Sequence, residues 1–211
     1  MEVKQNNLIK SLRVQPLIVV IRLEHDFFHI SHKRENLLLK IEKLSNYGIK
    51  NIEIGWDSNP EWVNLILEIK NKFKSINIDV ASITSKESLE SISSLDINYS
   101  MSPFFNKEIH SNAIKYNQLV IPGISSIENF KEAINLGYKI VKIYPASELG
   151  FNFISDLQDI KKKNIFFIGA GGIKSKNLKK LLTNGYDALV IGRELINQAP
   201  DKDLEIWLKN Y

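Results

Sequence analysis

Short apolar runs of strand length alternate with amphipathic helical segments along almost the whole chain. The first run, residues 16–22, reads PLIVVIR, and residues 31–47 then place apolar side chains at helical spacing. Seven further pairs follow without a linker, and glycine or proline marks most of their boundaries. Continuous apolar strands connected by helices are typical of parallel sheets covered on both faces. Eight such units in 211 residues predict a small (β/α)8 TIM barrel, a single domain over residues 1–211, with a short N-terminal helix.

Polar residues near the strand ends distinguish this barrel from the alternative, an open doubly wound sheet. Five of them, on five different predicted strands, are Arg22, Glu53, Ser82, Ser102 and Lys142. A barrel brings the carboxyl ends of its strands to one mouth, where barrel enzymes carry their active sites. In an open sheet, residues from so many strands would hardly converge on one point. The pattern therefore favours the barrel and predicts an active site at its mouth.

Lys142 lies in the middle of a β-branched run within residues 138–150, YKIVKIYPASELG. If the run is a strand, Lys142 shares one face with Ile140 and Tyr144, which is otherwise apolar. Burying an ammonium group is costly and lowers its pKa, and the resulting neutral amine can attack a carbonyl to form a Schiff base. The alternative is an edge lysine whose ammonium group reaches solvent.

Glu53 and Arg22 end two other strands of the predicted ring. A carboxylate near Lys142 can relay protons while a Schiff base forms and collapses, and a guanidinium can bind a carboxylate with two hydrogen bonds. Together with Lys142, they would bind the carboxylate of a 2-oxo acid and react with its keto group. The alternatives are a solvated carboxylate at Glu53 and an ion pair of Arg22 with Glu24 or Glu53.

A glycine-rich loop, residues 169–172 with the sequence GAGG, follows the seventh strand, and Gly192 follows the eighth. Loops at these two positions form the usual phosphate site of such barrels, because bare backbone amides and a helix N-terminus can approach an anion closely. Arg193 could add a direct positive charge there, or could equally be a surface residue at the start of a helix.

Composition excludes several other classes of protein. The chain contains no cysteine, which rules out disulfides and thiolate chemistry. Its 28 basic and 24 acidic residues give a net charge of +4, and the lysines are scattered, which does not suggest nucleic acid binding. This balance suits an anionic substrate but fits a solvated lysine-rich surface equally well. No run approaches the about 20 apolar residues of a membrane span, so we expect a cytoplasmic protein without a membrane partner.

Three of the four histidines, His25, His29 and His32, cluster after the first predicted strand. With Asp26 nearby they could hold a metal ion, but the pattern supplies no further ligands and is more typical of a solvated loop over the barrel mouth. We therefore expect no metal and no other cofactor.

Several motifs, in their order and spacing, resemble the bacterial 2-keto-3-deoxy-6-phosphogluconate aldolases, almost from end to end. This family also includes the 6-phosphogalactonate and 4-hydroxy-2-oxoglutarate aldolases. The matching motifs are VVIR with Arg22, NIEI with Glu53, MSPFF with Ser102 and Pro103, IPGIS with Pro122 and Gly123, VKIYPAS with Lys142 and Pro145, and GGI with Gly171 and Gly172.

The resemblance implies a class I aldolase in which Lys142 forms the Schiff base and Glu53 is the general acid and base. The substrate-binding residues that it implies are Arg22, Ser82, Pro103, Pro122, Tyr144, Gly171, Gly172, Gly192 and Arg193. It also implies a homotrimer of barrels that needs no metal. The expected reaction is the Entner–Doudoroff cleavage of 2-keto-3-deoxy-6-phosphogluconate to pyruvate and glyceraldehyde 3-phosphate. The alternatives are a 4-hydroxy-2-oxoglutarate aldolase acting on an unphosphorylated substrate and a barrel that binds a 2-oxo acid or phosphate without catalysis.

The departures from the family pattern fall in the expected substrate shell. Members usually carry threonine or proline and then arginine, asparagine or threonine after the glutamate, whereas residues 55–58 read GWDS. Residues 79–82 read DVAS in place of Gly-Ala-Gly-Thr, which predicts added bulk and charge near the end of the third strand. Ala170 and Arg193 replace small or hydroxyl residues of the phosphate loops. These changes leave Schiff-base chemistry possible and leave the natural aldehyde open.

Overall fold

The strands form one parallel sheet that closes into a barrel. The computed structural model describes residues 1–150, 153–158, 164–192, 195 and 202–209. Within these residues the strands are β1 (Leu17–Ile21), β2 (Asn51–Gly55), β3 (Asn77–Ala81), β4 (Ser100–Met101), β5 (Val120–Ile121), β6 (Gly123–Ile124), β7 (Ile140–Ile143), β8 (Phe166–Ala170) and β9 (Ala188–Ile191).

The pairing order of the strands confirms the predicted barrel. Each strand from β1 to β4 pairs with the next in parallel, β6 to β9 do the same, and β9 pairs with β1. The predicted strand that ends at Pro122 corresponds to β5, and a second short strand, β6, follows Pro122 directly and was not predicted. Because β5 pairs with β4 and β6 pairs with β7, the ring has eight positions and the open-sheet alternative is wrong.

Helices alternate with these strands and cover the outside of the barrel. They are α1 (Glu2–Val14), α2 (Ser31–Asn46), α3 (Trp62–Lys72), α4 (Lys86–Ile92), α5 (Lys107–Lys115), α6 (Ile127–Asn135), α7 (Ala146–Leu149), α8 (Phe153–Gln158), α9 (Leu178–Thr183) and α10 (Lys202–Leu208), with 3₁₀ turns at Phe27–His29 and Ser175–Asn177. None of the helices in the described part of the chain has the length and apolarity needed to cross a bilayer.

Alternation along each strand divides the core into two layers. The side chains of Ile52 and Ile54 belong to the layer between sheet and helices, whereas Ile18, Ile140 and Ile168 belong to the barrel interior. All five residues of β2 are buried because the sheet is covered on both sides. The interior is therefore filled with side chains and leaves space only near one end.

Helix α1 closes the amino end of the barrel. Leu8 and Leu12 insert into the interior layer. Gln5, only 1% exposed, donates from Nε2 to the Gly137 carbonyl oxygen at 3.1 Å and accepts from the Lys139 amide at 2.7 Å. Helix α1 thus covers the end of the barrel opposite the carboxyl ends of the strands.

We predict that Gln5→Ala lowers the free energy of unfolding by about 1–3 kcal/mol, because it removes the two hydrogen bonds of a buried side chain, each of which contributes about 0.5–1.5 kcal/mol. Urea denaturation monitored by circular dichroism would measure the change. Asn6→Ala, at an exposed position on the same helix, should change it by less than about 0.5 kcal/mol. Equal losses for the two variants would show that Gln5 does not fasten the helix to the barrel.

Candidate active site

A cavity of about 1100 Å³ opens at the carboxyl ends of the strands. The predicted site residues that line it are Arg22, Glu53, Ser82, Pro103, Lys142, Tyr144, Gly171, Gly172 and Gly192. Pro122 does not line it, and its carbonyl oxygen instead accepts from the Lys142 amide at 3.0 Å. Arg193 lies outside the described residues. The fold thus brings residues from seven regions of the chain to one mouth.

Lys142, the third residue of β7, points into the barrel interior. Its side chain is 6% exposed, so it does not extend to the outer surface as the edge-lysine alternative requires. Nζ lies 5.1 Å from the centre of the Tyr144 ring. Among the described residues, no carboxylate oxygen lies within 4.0 Å of this Nζ. The amine is therefore buried, without a tight ion pair, and open only to the cavity.

This burial changes the protonation of Lys142. Desolvation of the ammonium form lowers the pKa of Lys142 to about 8, while the charge of Glu53 opposes the fall and that of Arg22 adds to it. At pH 7.5 an amine with such a pKa is roughly one quarter neutral, whereas an ordinary lysine is neutral in about one molecule in a thousand. The site therefore supplies a nucleophilic amine near neutral pH.

Glu53, in the middle of β2, also points inward and is 1% exposed. Desolvation raises the pKa of Glu53 to about 7, against the opposing effect of the Lys142 charge. Its Oε1 has no hydrogen-bond partner in the described part of the chain. A carboxyl group with this pKa and a free oxygen can both give and take a proton at neutral pH.

Arg22 follows β1, and its side chain crosses over β2. A Cβ atom on Gly55 would lie 3.5 Å from Arg22 Cγ, so the absence of a side chain at Gly55 leaves room for the arginine. Glu24 forms an ion pair with Lys33, which also pairs with Asp26. Within the described residues Arg22 has no ion pair, so neither predicted internal partner engages it, and its guanidinium is available to an anion.

The loop after β8 packs closely against α7. Gly172 has a positive φ of 71°, and a Cβ atom there would lie 2.0 Å from Ser147 Oγ. The Ser147 amide donates to the Gly171 carbonyl oxygen at 3.1 Å. Glycine is therefore required at this corner for its conformation and for the close approach, in addition to any role in binding an anion.

Two departures from the family pattern lie away from the cavity. Asp57 accepts from the Asn59 amide at 2.8 Å within its own loop and does not line the cavity. Asp79 was expected near the end of the third strand but lies in the middle of β3, at the same register as Glu53, and does not line the cavity. It accepts from the amides of Asn98 at 2.7 Å and Tyr99 at 3.2 Å. The expectation that its charge enters the substrate shell is wrong.

The sequence analysis missed several residues that lie in or near the site. Tyr99, which is 2% exposed, lies near enough to Glu53 for each to shift the other's pKa. The alternation that places Tyr99 and Met101 in the interior could have indicated it. Ser147, Lys33 and Lys174 line the cavity from loops and helices, where spacing gives no such indication.

The clustered histidines do not assemble a metal site in this fold. His25, His29 and His32 are all exposed, and of the three only His32 lines the cavity. Within the described ranges, no three histidine, aspartate or glutamate side chains come close enough together to hold an ion.

Comparison with known protein families identifies one family whose profile spans most of the chain. The sequence profile of the family described as KDPG and KHG aldolase matches residues 8–205. The 2-dehydro-3-deoxy-6-phosphogalactonate aldolase of Escherichia coli (strain K12) is 22% identical over 163 residues, covering 76% of this chain and 78% of that protein.

Two solved structures show the same fold. The KDPG aldolase from Legionella pneumophila, with pyruvate captured at low pH as a covalent carbinolamine intermediate, has a TM-score of 0.77 at 20% identity, covering 96% of both chains. The 2-keto-3-deoxy-6-phosphogluconate aldolase of Zymomonas mobilis ZM4 with 3-phosphoglycerate has a TM-score of 0.76 at 16% identity, covering 95% of this chain and 93% of that one.

We predict that one lysine signal in a ¹³C-lysine NMR titration has a midpoint near 8 and is absent from Lys142→Met, because burial lowers the pKa of Lys142 to about 8. In Glu53→Gln the midpoint should fall further, since the carboxylate that favours the ammonium form is removed. A Lys142 signal that titrates like the exposed lysines would contradict this account of the site.

Proposed function

We propose, from the premise that this chain belongs to the KDPG and KHG aldolase family, that it is a class I aldolase. It cleaves a 2-keto-3-deoxy-6-phospho sugar acid, such as 2-keto-3-deoxy-6-phosphogluconate, to pyruvate and an aldehyde, glyceraldehyde 3-phosphate, through a Schiff base on Lys142. The observation that carries the proposal is a buried amine and a buried carboxyl group that line one cavity, with pKa values moved toward neutrality.

The first steps form an iminium ion. The neutral Lys142 amine attacks the 2-oxo carbon, and proton transfer gives a carbinolamine. Glu53 then donates its proton to the carbinolamine hydroxyl group, which leaves as water while the nitrogen lone pair forms the C=N bond. Arg22, which has no ion pair among the described residues, holds the substrate carboxylate with two hydrogen bonds.

The next steps break the carbon–carbon bond. The Glu53 carboxylate accepts the proton of the C4 hydroxyl group, the C3–C4 bond breaks, and its electron pair forms a C2=C3 bond as the iminium pair returns to nitrogen. The aldehyde departs and leaves an enamine. Protonation of the enamine at C3 and hydrolysis of the pyruvate iminium regenerate the Lys142 amine.

The relatives support this chemistry. In the Legionella structure pyruvate is bound as a covalent carbinolamine, the first intermediate of the proposed sequence. The curated Escherichia coli and Treponema pallidum relatives are named as aldolases of phosphorylated 2-keto-3-deoxy sugar acids. The loop of Gly171 and Gly172, with Gly192, lines the same cavity and would receive the phosphate.

A second candidate keeps the barrel and the Schiff base but not the phosphate. The family description includes the KHG aldolases, which supports cleavage of an unphosphorylated acid such as 4-hydroxy-2-oxoglutarate. The homotrimer that the resemblance implies is also part of our proposal, and a sedimentation mass of three 24.2 kDa chains would support it.

We predict that pyruvate and borohydride add one reduced pyruvyl group per chain, at Lys142, because reduction traps the iminium ion. Intact-mass spectrometry and peptide mapping would measure the adduct. Lys142→Met should give none, and Glu53→Gln should form it about 10²- to 10⁴-fold more slowly through loss of proton transfer.

The matched control for this trap is Lys139→Met, at a 44% exposed lysine three residues earlier, which should keep the adduct. A folded wild type that gains thermal stability with pyruvate but never forms an adduct would instead support a non-catalytic binding barrel.

We predict that Gly172→Ala lowers kcat/KM at least about tenfold more for the phosphorylated substrate than for an unphosphorylated one, because the added methyl group displaces Ser147 for both substrates and also blocks the backbone amides that would receive the phosphate. Steady-state kinetics with both substrates would test it. The control is Gly48→Ala, where φ is also positive, at 86°, but a Cβ atom meets nothing within 4 Å.

An equal fall in kcat/KM for both substrates in Gly172→Ala would show that the phosphate binds elsewhere. Wild-type turnover of 4-hydroxy-2-oxoglutarate that equals or exceeds turnover of the phosphorylated acid would favour the second candidate.

A further inference from the structure

A column of paired side chains runs up the inside of the barrel between β2 and β3. Three pairs of residues share a register: Asn51 with Asn77, Glu53 with Asp79, and Gly55 with Ala81. At the lowest step, Asn77 Nδ2 donates to Asn51 Oδ1 at 2.9 Å, so side chains at equal register on these strands do meet. Adjacent strands lie about 4.8 Å apart, which places the Asp79 carboxyl group beside that of Glu53.

Asp79 is held as a fixed carboxylate. It is 1% exposed and accepts hydrogen bonds from two backbone amides, at Asn98 and Tyr99. Burial raises the pKa of Asp79 to about 6, while these amides oppose the rise. The group is therefore mostly ionised at neutral pH. Since it does not line the cavity, the substrate cannot neutralise it.

The charged and polar groups that face Glu53 shift its pKa in opposite directions. Lys142 on β7 and Arg22 after β1 favour its carboxylate form, and so does the Tyr99 hydroxyl group that precedes β4. The Asp79 charge on β3 favours its protonated form. Burial is the largest cause of the raised pKa of Glu53, and the Asp79 charge adds to that rise against the two cations and the hydroxyl group.

We propose that Asp79 is a positioning residue that keeps Glu53 protonated in the resting site, so that Glu53 enters the reaction as a general acid. This role rests on the proposed aldolase function. The Glu53 proton passes to the hydroxyl group of the carbinolamine, water leaves, and the Lys142 nitrogen forms the double bond. Glu53 is then a carboxylate, ready to accept the C4 hydroxyl proton in the cleavage step. Like charges at neighbouring carboxyl groups favour such a division of roles.

The test compares two variants that should shift the pKa of the Glu53 carboxyl group in opposite directions. Asp79→Asn keeps the shape and an acceptor oxygen for the two amides but removes the charge, so the ¹³C NMR titration midpoint of the Glu53 carboxyl group should fall. Tyr99→Phe removes a group that favours the carboxylate, so that midpoint should rise. A general disturbance of the contact between Asp79 and the loop of Tyr99 would shift the midpoint in the same direction in both variants.

The reaction provides a second readout. For Asp79→Asn, the pH profile of pyruvate trapping at Lys142 should shift to lower pH, with a several-fold loss of rate at pH 8 and little change at pH 5.5. Gln5→Ala, which weakens the fold at the opposite end of the barrel, should leave the profile unmoved. If Asp79→Asn does not fold, Asp79→Ser removes the same charge with a smaller side chain.

The outcomes separate the two proposals. A Glu53 midpoint that stays in place or rises when the Asp79 charge is removed overturns the role of Asp79. If wild-type protein forms no pyruvate adduct, the aldolase proposal fails, while the carboxyl titration still decides whether Asp79 controls the protonation of Glu53.

Discussion

The cost of placing two ionisable groups inside a closed barrel underlies the proposed chemistry of this protein. Lys142 and Glu53 are both almost fully removed from solvent, and burial disfavours the charged form of each. Their mutual attraction recovers only part of that cost, so both pKa values move toward neutrality. The rest of the fold tolerates this cost because two apolar layers and the helix at the amino end stabilise the barrel independently of the site. The buried pair of Lys142 and Glu53 thus lowers the stability of the fold at the place where a reactive amine is needed.

Much of the architecture follows from the pattern of apolar residues alone. The eight strand positions, the N-terminal helix and the end of a strand at Pro122 were all predictable, because strand and helix periods differ and proline cannot donate to a sheet. The inward direction of Lys142 follows from alternation in the same way. These features are local, because residues close in sequence determine them.

The errors concern where a residue lies relative to the whole ring. Asp79 was expected near the substrate because residues 79–82 replace a family motif of the expected substrate shell, but Asp79 lies in the middle of β3 and does not line the cavity. Asp57 was expected as a substrate contact, but its carboxylate accepts from the amide of Asn59 and stays in its loop. The approach of Tyr99 to Glu53 depends on strand register and loop packing, which no short pattern encodes.

The packing of Gly172 against Ser147 also links two parts of the site mechanically. Ser147 lies five residues after Lys142, and its amide donates to the Gly171 carbonyl oxygen, so the corner after β8 is hydrogen-bonded to the segment after β7 and packs closely against it. A ligand group bound at that corner therefore acts on the segment that positions the amine. Binding energy from the far end of a substrate could be used to align the reacting atoms, and discrimination between substrates would then appear in turnover more than in affinity.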